Sequence, residues 1–192
     1  MKRKITDKFL LLKIQSGDPE AFAQIYDGYI DDIYRFVFYK VSHQHEAEDL
    51  SSEVFLKTWA YIKGGNSVKN VRALLYRIAR NLVIDYYRTN KKRTAVNYED
   101  LSEILASKDP HLDEEISFDE LRLLLEKGIY SLTEDYRDII LLRYVEGLTI
   151  QEISEIMDRT KGACRVLLHR AIKALKLAIR KDQDLEQAIS MN

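Results

Sequence analysis

Apolar residues return at spacings of three and four along nearly the whole chain, the period of a helix that buries one face. Breakers of that pattern are scarce, with two prolines and seven glycines in 192 residues. No segment shows the strict alternation of a half-buried strand, so the pattern predicts an all-α protein. A chain of this length suits either one helical domain or two small ones with modest cores. Membrane insertion is not expected, because no apolar run approaches the length of a span. The opening "MKRKITDKFLLLKIQSGD" has a basic start, but Lys8 and Lys13 interrupt its apolar run and no small-residue cleavage site follows, unlike a secretory leader. The single cysteine, Cys164, excludes an intramolecular disulfide framework and fits a reduced, cytoplasmic setting.

A net charge of -1 conceals strong segregation. Nine basic residues stand between Lys63 and Arg93 against Asp85 alone, and eight between Arg159 and Lys181 against no acid. Between these blocks, Thr94 to Ile116 carries seven acids against Lys108. Two basic blocks on periodic helices, parted by an acidic connector, point to two contacts with one polyanion. A domain boundary therefore falls in the connector, giving domains over 9–93 and 117–181 joined by a flexible acidic linker over 94–116.

Local signals set the helix ends. "SGDPEAF" opens a helix, with Asp18 as cap, Pro19 at the first helical position and Glu20 complementing the dipole. Helices are expected over Pro19 to Val41, Glu46 to Ile62 and Asn70 to about Lys92, with "KGGNS" as the loop before the last. In the second domain Thr133 caps a helix that stops at Gly147. Thr149 and Glu152 form a capping box opening "IQEISEIM", and Thr160 starts the basic helix "KGACRVLLHRAIKALKLAIRK". A short helix, a tight turn and a longer basic helix make a helix-turn-helix, whose second helix enters the DNA major groove. Ile153, Ile156 and Met157 face inward with Cys164, Leu168, Ala171 and Leu175, leaving Lys161, Arg165 and His169 in a row outside.

In "NVRALLYRIARNLVIDYYR", Val71, Leu74, Leu75, Ile78 and Leu82 share the core arc. Tyr76, Arg80, Tyr87 and Lys91 lie on the opposite arc with Arg72 beside them. Such tyrosines either stack on bases while the arginines neutralise phosphate, or pack on another helix of the same protein. Asp85 falls near the core arc beside Asn81 and Arg88 and reads as an internal salt-bridge residue. In "AEDLSSEVFLKTW", Ala47, Leu50, Val54 and Thr58 point inward, whereas Leu56 lies outward with Asp49, Ser52 and Glu53, the pattern of a protein-binding face.

Taken in order, "AEDLSSEVFLKTW", "LLYRIARNLVIDYYR" and "LTEDYRDIILLRYVEGLTIQEISEIMDRTKGACRVLLHRAIKAL" resemble regions two and four of the extracytoplasmic-function sigma factors of bacterial RNA polymerase. The resemblance runs from about Phe9 to Lys181. It implies a transcription initiation factor, not an enzyme, that binds core polymerase through the β′ clamp and β subunit, selects promoter DNA and helps open it. It assigns Asp49, Ser52, Glu53, Phe55 and Leu56 to the helix docking on the β′ clamp. It assigns Lys63, Asn66, Ser67, Lys69, Arg80, Asn81 and Arg88 to the minus-ten element, where a base is flipped into a pocket, and the outer arc with Arg72, Tyr76 and Tyr87 is expected to join that surface. Thr160, Lys161, Gly162, Ala163, Arg165, His169 and Arg170 match the helix that reads the minus-thirty-five element. There Arg165 suits a base edge, and Lys161 and Arg170 suit phosphates. The connector, extending to at most about 80 Å, would thread polymerase channels that otherwise hold nucleic acid. Two departures stand out: Ser52 where the family commonly has glutamine, and Asp158 at a turn often taken by glycine. With no further domain evident in the sequence, the inducing signal is expected to arrive through an anti-sigma factor, and no cofactor is expected.

Two other readings compete. A helix-turn-helix regulator acting without polymerase would need a dimer surface or ligand domain that the N-terminal helices do not plainly show. A metal hydrolase built on "HQHEAED" would use His43, His45, Glu46, Glu48 and Asp49, but the histidines at i and i+2 point apart and no third arrives with matching spacing. Cys164 reads as a core residue, not a nucleophile.

Overall fold

The computed structural model describes residues 2–89 and 127–190. These divide into two compact units, one made of the N-terminal helices and one of the C-terminal helices. Every regular element among the described residues is helical. The acidic connector Thr94–Ile116, and Lys91 before it, lie outside the described residues.

The first unit contains α1 (Lys2–Gln15), α2 (Pro19–Val41), α3 (Gln44–Lys63) and α4 (Val71–Thr89). Helix α1 is not among the helices expected from the sequence, and it begins ahead of the domain start expected near Phe9. Its Leu10, Leu11 and Ile14, at helical spacing, are buried, and the chain then turns through Gly17 at φ 92°. The Asp18 carboxylate accepts from Glu20 N at 2.9 Å and Ala21 N at 3.2 Å, starting α2 as its sequence predicts. Ser42, at φ 57°, closes α2 by donating its N–H to Phe38 O. Gly64 and Gly65 close α3, the latter at φ 78°. Asn70 caps α4 by accepting from Ala73 N at 3.2 Å. Helix α2 packs on α1, α3 and α4, and α3 packs on α4 as well. The core accordingly runs through Ile25, Ile33, Phe36, Val54, Ile62, Leu75 and Ala79.

The second unit contains α5 (Glu134–Ile140), a π-helical continuation over Leu141–Val145, α6 (Ile150–Ile156) and α7 (Lys161–Ser190). Thr133 stands at the start of α5 as expected, although its hydroxyl makes no capping bond. The wider π turn brings Arg143 Nη1 to Leu148 O at 2.8 Å, and Gly147 at φ 64° ends the segment. Helix α5 packs on α7. Gly128 lets the preceding turn approach closely, since a Cβ there would lie 2.9 Å from Leu175 Cδ1.

Candidate nucleic-acid and protein interfaces

The helix-turn-helix is built by local chemistry. Glu152 accepts from Thr149 N at 3.0 Å while Thr149 Oγ1 accepts from Glu152 N at 3.3 Å, the reciprocal box its sequence predicts. Asp158 adopts φ 51°, the left-handed turn conformation that Asp tolerates. Thr160 Oγ1 then accepts from Ala163 N at 3.1 Å, starting α7. Ile153, Ile156, Met157, Cys164 and Ala171 are buried as expected, whereas Leu168 and Leu175 are only half-buried. Burial pushes the Cys164 thiol pKa up, opposed in smaller measure by the Arg159 guanidinium. On the outside, Lys161, Gly162, Ala163, Arg165, His169 and Arg170 are all exposed. Thr160 is exposed too, but its hydroxyl is engaged as the cap. Val166, exposed on the same helix, is a surface residue that charge-based reasoning passed over.

The basic face of α4 differs from its expected form. Tyr76 is fully buried, its ring edge-to-face with Phe36 at 5.3 Å. It therefore does not stand on a nucleic-acid surface. The physical reason is that α4 packs on both α2 and α3, so its buried arc is wider than the stripe of strongest apolar residues. Tyr87 is half-buried and donates its hydroxyl to Lys40 O. Arg72 is also half-buried, its guanidinium 5.8 Å from the Tyr76 ring centre. Arg80 is half-buried, while Asn81 and Arg88 are exposed. Asp85 is not internal: it pairs with Arg88 at 3.2 Å on the surface, the two side chains 56% and 75% exposed. Exposed Arg77 adds a cation to α4 that no sequence motif singled out. Lys63, at the end of α3, and Asn66, Ser67 and Lys69, in the loop before α4, are exposed. Asn66 Nδ2 donates to Tyr61 O at 2.9 Å, which holds the loop to the end of α3.

On α3, Asp49, Ser52, Glu53 and Leu56 share an exposed face, and Leu56 is 69% exposed. Glu53 pairs with Lys57 at 3.2 Å, an exposed i, i+4 contact that contributes little to stability. Phe55 is not on this face. It is buried, packing 4.7 Å from the Tyr26 ring and 6.5 Å from Phe22, because it sits on the α2-facing side of α3. Tyr26, itself partly exposed, was not found from sequence because its signal is contact across helices. His45 is almost fully exposed, its Nδ1 3.8 Å from Glu48. No group of His, Cys, Asp and Glu among the described residues is arranged to hold a metal.

Comparison with known proteins identifies two family models along the chain: sigma-70 region 2 over residues 25–93 and sigma-70 region 4 over residues 122–175. The chain is 32% identical over 176 residues to the ECF RNA polymerase sigma factor SigW of Bacillus subtilis, covering 88% of this chain and 94% of SigW. It is 30% identical over 182 residues to the ECF RNA polymerase sigma factor BldN of Streptomyces coelicolor, covering 90% of this chain and 66% of BldN. Among solved structures, CnrH in complex with the cytosolic domain of CnrY is similar at a TM-score of 0.71 and 19% identity, covering 92% of this chain and 99% of that one. RpoE of Bartonella quintana, in complex with the anti-sigma factor NepR, is similar at a TM-score of 0.59 and 22% identity. These two likenesses concern the fold.

Proposed function

This chain belongs to the extracytoplasmic-function RNA polymerase sigma factors of the sigma-70 family, and from that membership we propose how its surfaces divide the work. The protein is a transcription initiation factor, not an enzyme; it binds core RNA polymerase and directs it to promoters. The observation that carries the division is that Lys161, Arg165, His169 and Arg170 of α7 are exposed behind a capped α6, while α3 exposes a leucine among acids.

Leu56, with Asp49, Ser52 and Glu53 around it, docks on the β′ clamp, and Phe55 supports that face from beneath. The loop from Lys63 to Lys69 and the exposed Arg77, Asn81 and Arg88 engage the minus-ten strand, with half-buried Arg72 and Arg80 beside them. Tyr76 and Tyr87 hold the helix that carries these groups. Arg165 reads a base edge of the minus-thirty-five element, where a bidentate contact to guanine contributes about 1–3 kcal/mol of discrimination. Lys161 and Arg170 contact phosphate, His169 and Thr160 border the groove, and Gly162 and Ala163 allow close approach of the helix. No helix among the described residues is long and apolar enough to cross a membrane, and a protein that works on polymerase and DNA acts in the cytoplasm. An anti-sigma factor covering the Leu56 face or α7 completes the proposal.

The test is run-off transcription from sheared source DNA by core polymerase, with and without the protein. New start sites preceded by a shared pair of short motifs support the reading. DNA binding without new starts refutes it in favour of a regulator independent of polymerase.

A further inference from the structure

Arg159 lies between the left-handed turn at Asp158 and the cap at Thr160, at the end of α7 that a helix-turn-helix presents to DNA. Its side chain is not loose. Nη2 donates to Asp135 Oδ2 at 2.6 Å, joining this turn to the first turn of α5 across 24 residues of sequence. Both side chains remain substantially exposed, 40% and 37%. A pair this open contributes little to stability, a weak reason by itself for an arginine to stand here. Among the described residues, the Nε and Nη1 donors of Arg159 bond nothing else. A guanidinium has five donors in one plane, so an arginine held at one corner still offers a rigid edge. Lys161 and Arg165 are exposed from the next turn, and no acid occurs from Arg159 to Lys181.

We propose that Arg159 is a further DNA contact of the recognition unit, gripping a backbone phosphate with its free edge while Asp135 acts as a positioning residue that orients the guanidinium. This rests on the assignment of α7 to the minus-thirty-five element. A lysine could supply the charge there, but not a planar group shared between a carboxylate and a phosphate. The contact is sequence-independent: it sets register and affinity, whereas Arg165 reads the base.

The experiment is fluorescence anisotropy with the full chain and a duplex carrying the upstream promoter motif found by run-off mapping, between about 0.05 and 0.2 M salt. Arg159→Ala removes one phosphate contact. The slope of log affinity against log salt then becomes shallower by about 0.9, which is about an eightfold loss at 0.1 M relative to 1 M. Arg159→Lys keeps the slope and loses part of the affinity. Asp135→Asn weakens binding in the native background and has no effect when residue 159 is alanine, which a merely structural role would not produce. An unchanged slope for Arg159→Ala overturns the contact. A gain of affinity for Asp135→Asn overturns the positioning role, since the pair would then compete with DNA. Arg165→Ala separates the two levels. If it impairs binding while Arg159→Ala does not, this inference alone fails; if neither impairs it, the assignment of α7 fails as well.

Discussion

Replacing Tyr76 by alanine separates a buried ring from a base-stacking one. The side chain is fully buried and packs edge-to-face on Phe36. A tyrosine buries about 150–250 Å². Taking the lower figure as apolar at about 25 cal/mol per Å² gives roughly 4 kcal/mol, within the range of about 3–5 kcal/mol measured for emptying an aromatic site. For a domain whose whole stability is about 5–15 kcal/mol, that is a quarter or more. In a four-helix unit of this size the melting temperature falls by at least about 15 °C. Urea unfolding followed by circular dichroism measures the loss directly, with Tyr76→Phe as the variant that keeps the ring and most of the packing. A stacking tyrosine behaves in the opposite way: its removal costs about 1–3 kcal/mol of single-strand affinity and leaves stability nearly unchanged. A Tyr76→Ala protein that unfolds within about 0.5 kcal/mol of the native one, while losing DNA affinity, refutes the reasoning.

Leu56→Asp, at a 69% exposed position, should leave stability within about 0.5 kcal/mol and weaken core polymerase binding by at least about tenfold, read by co-elution or surface plasmon resonance. Asp18→Ala removes the acceptor for two N–H groups of α2 and should lower urea stability by about 1 kcal/mol. Cys164 should resist iodoacetamide in the folded protein and react along the urea unfolding curve. Because burial raises its pKa above the unfolded value, the folded state keeps its proton longer. Its contribution to stability is therefore fully present below the ordinary thiol pKa and is lost as pH rises through the folded value. A Cys164→Ala protein, compared across that window, should show a flatter alkaline decline.

Several helix starts and stops belong to the sequence alone. Asp18 before Pro19, the glycine pair at Gly64 and Gly65, and the Thr149–Glu152 box each act within four residues, so neighbours along the chain suffice to determine them. The same locality made the helix-turn-helix and the outward row of Lys161, Arg165 and His169 legible. Position around a helix is also local, but the width of the buried arc is not. Tertiary packing decided it: with α2 and α3 both against α4, Tyr76 went inside. Phe55 turned toward Phe22 and Tyr26, and Tyr87 found the carbonyl of Lys40, 47 positions away in sequence. Asp85 stayed on the surface with Arg88, where water screens the pair and no core position needs it. The Asp135–Arg159 contact is the plainest case. Neither residue carries a mark of the other in sequence, because a pairing across 24 residues exists only once the intervening helices have folded back.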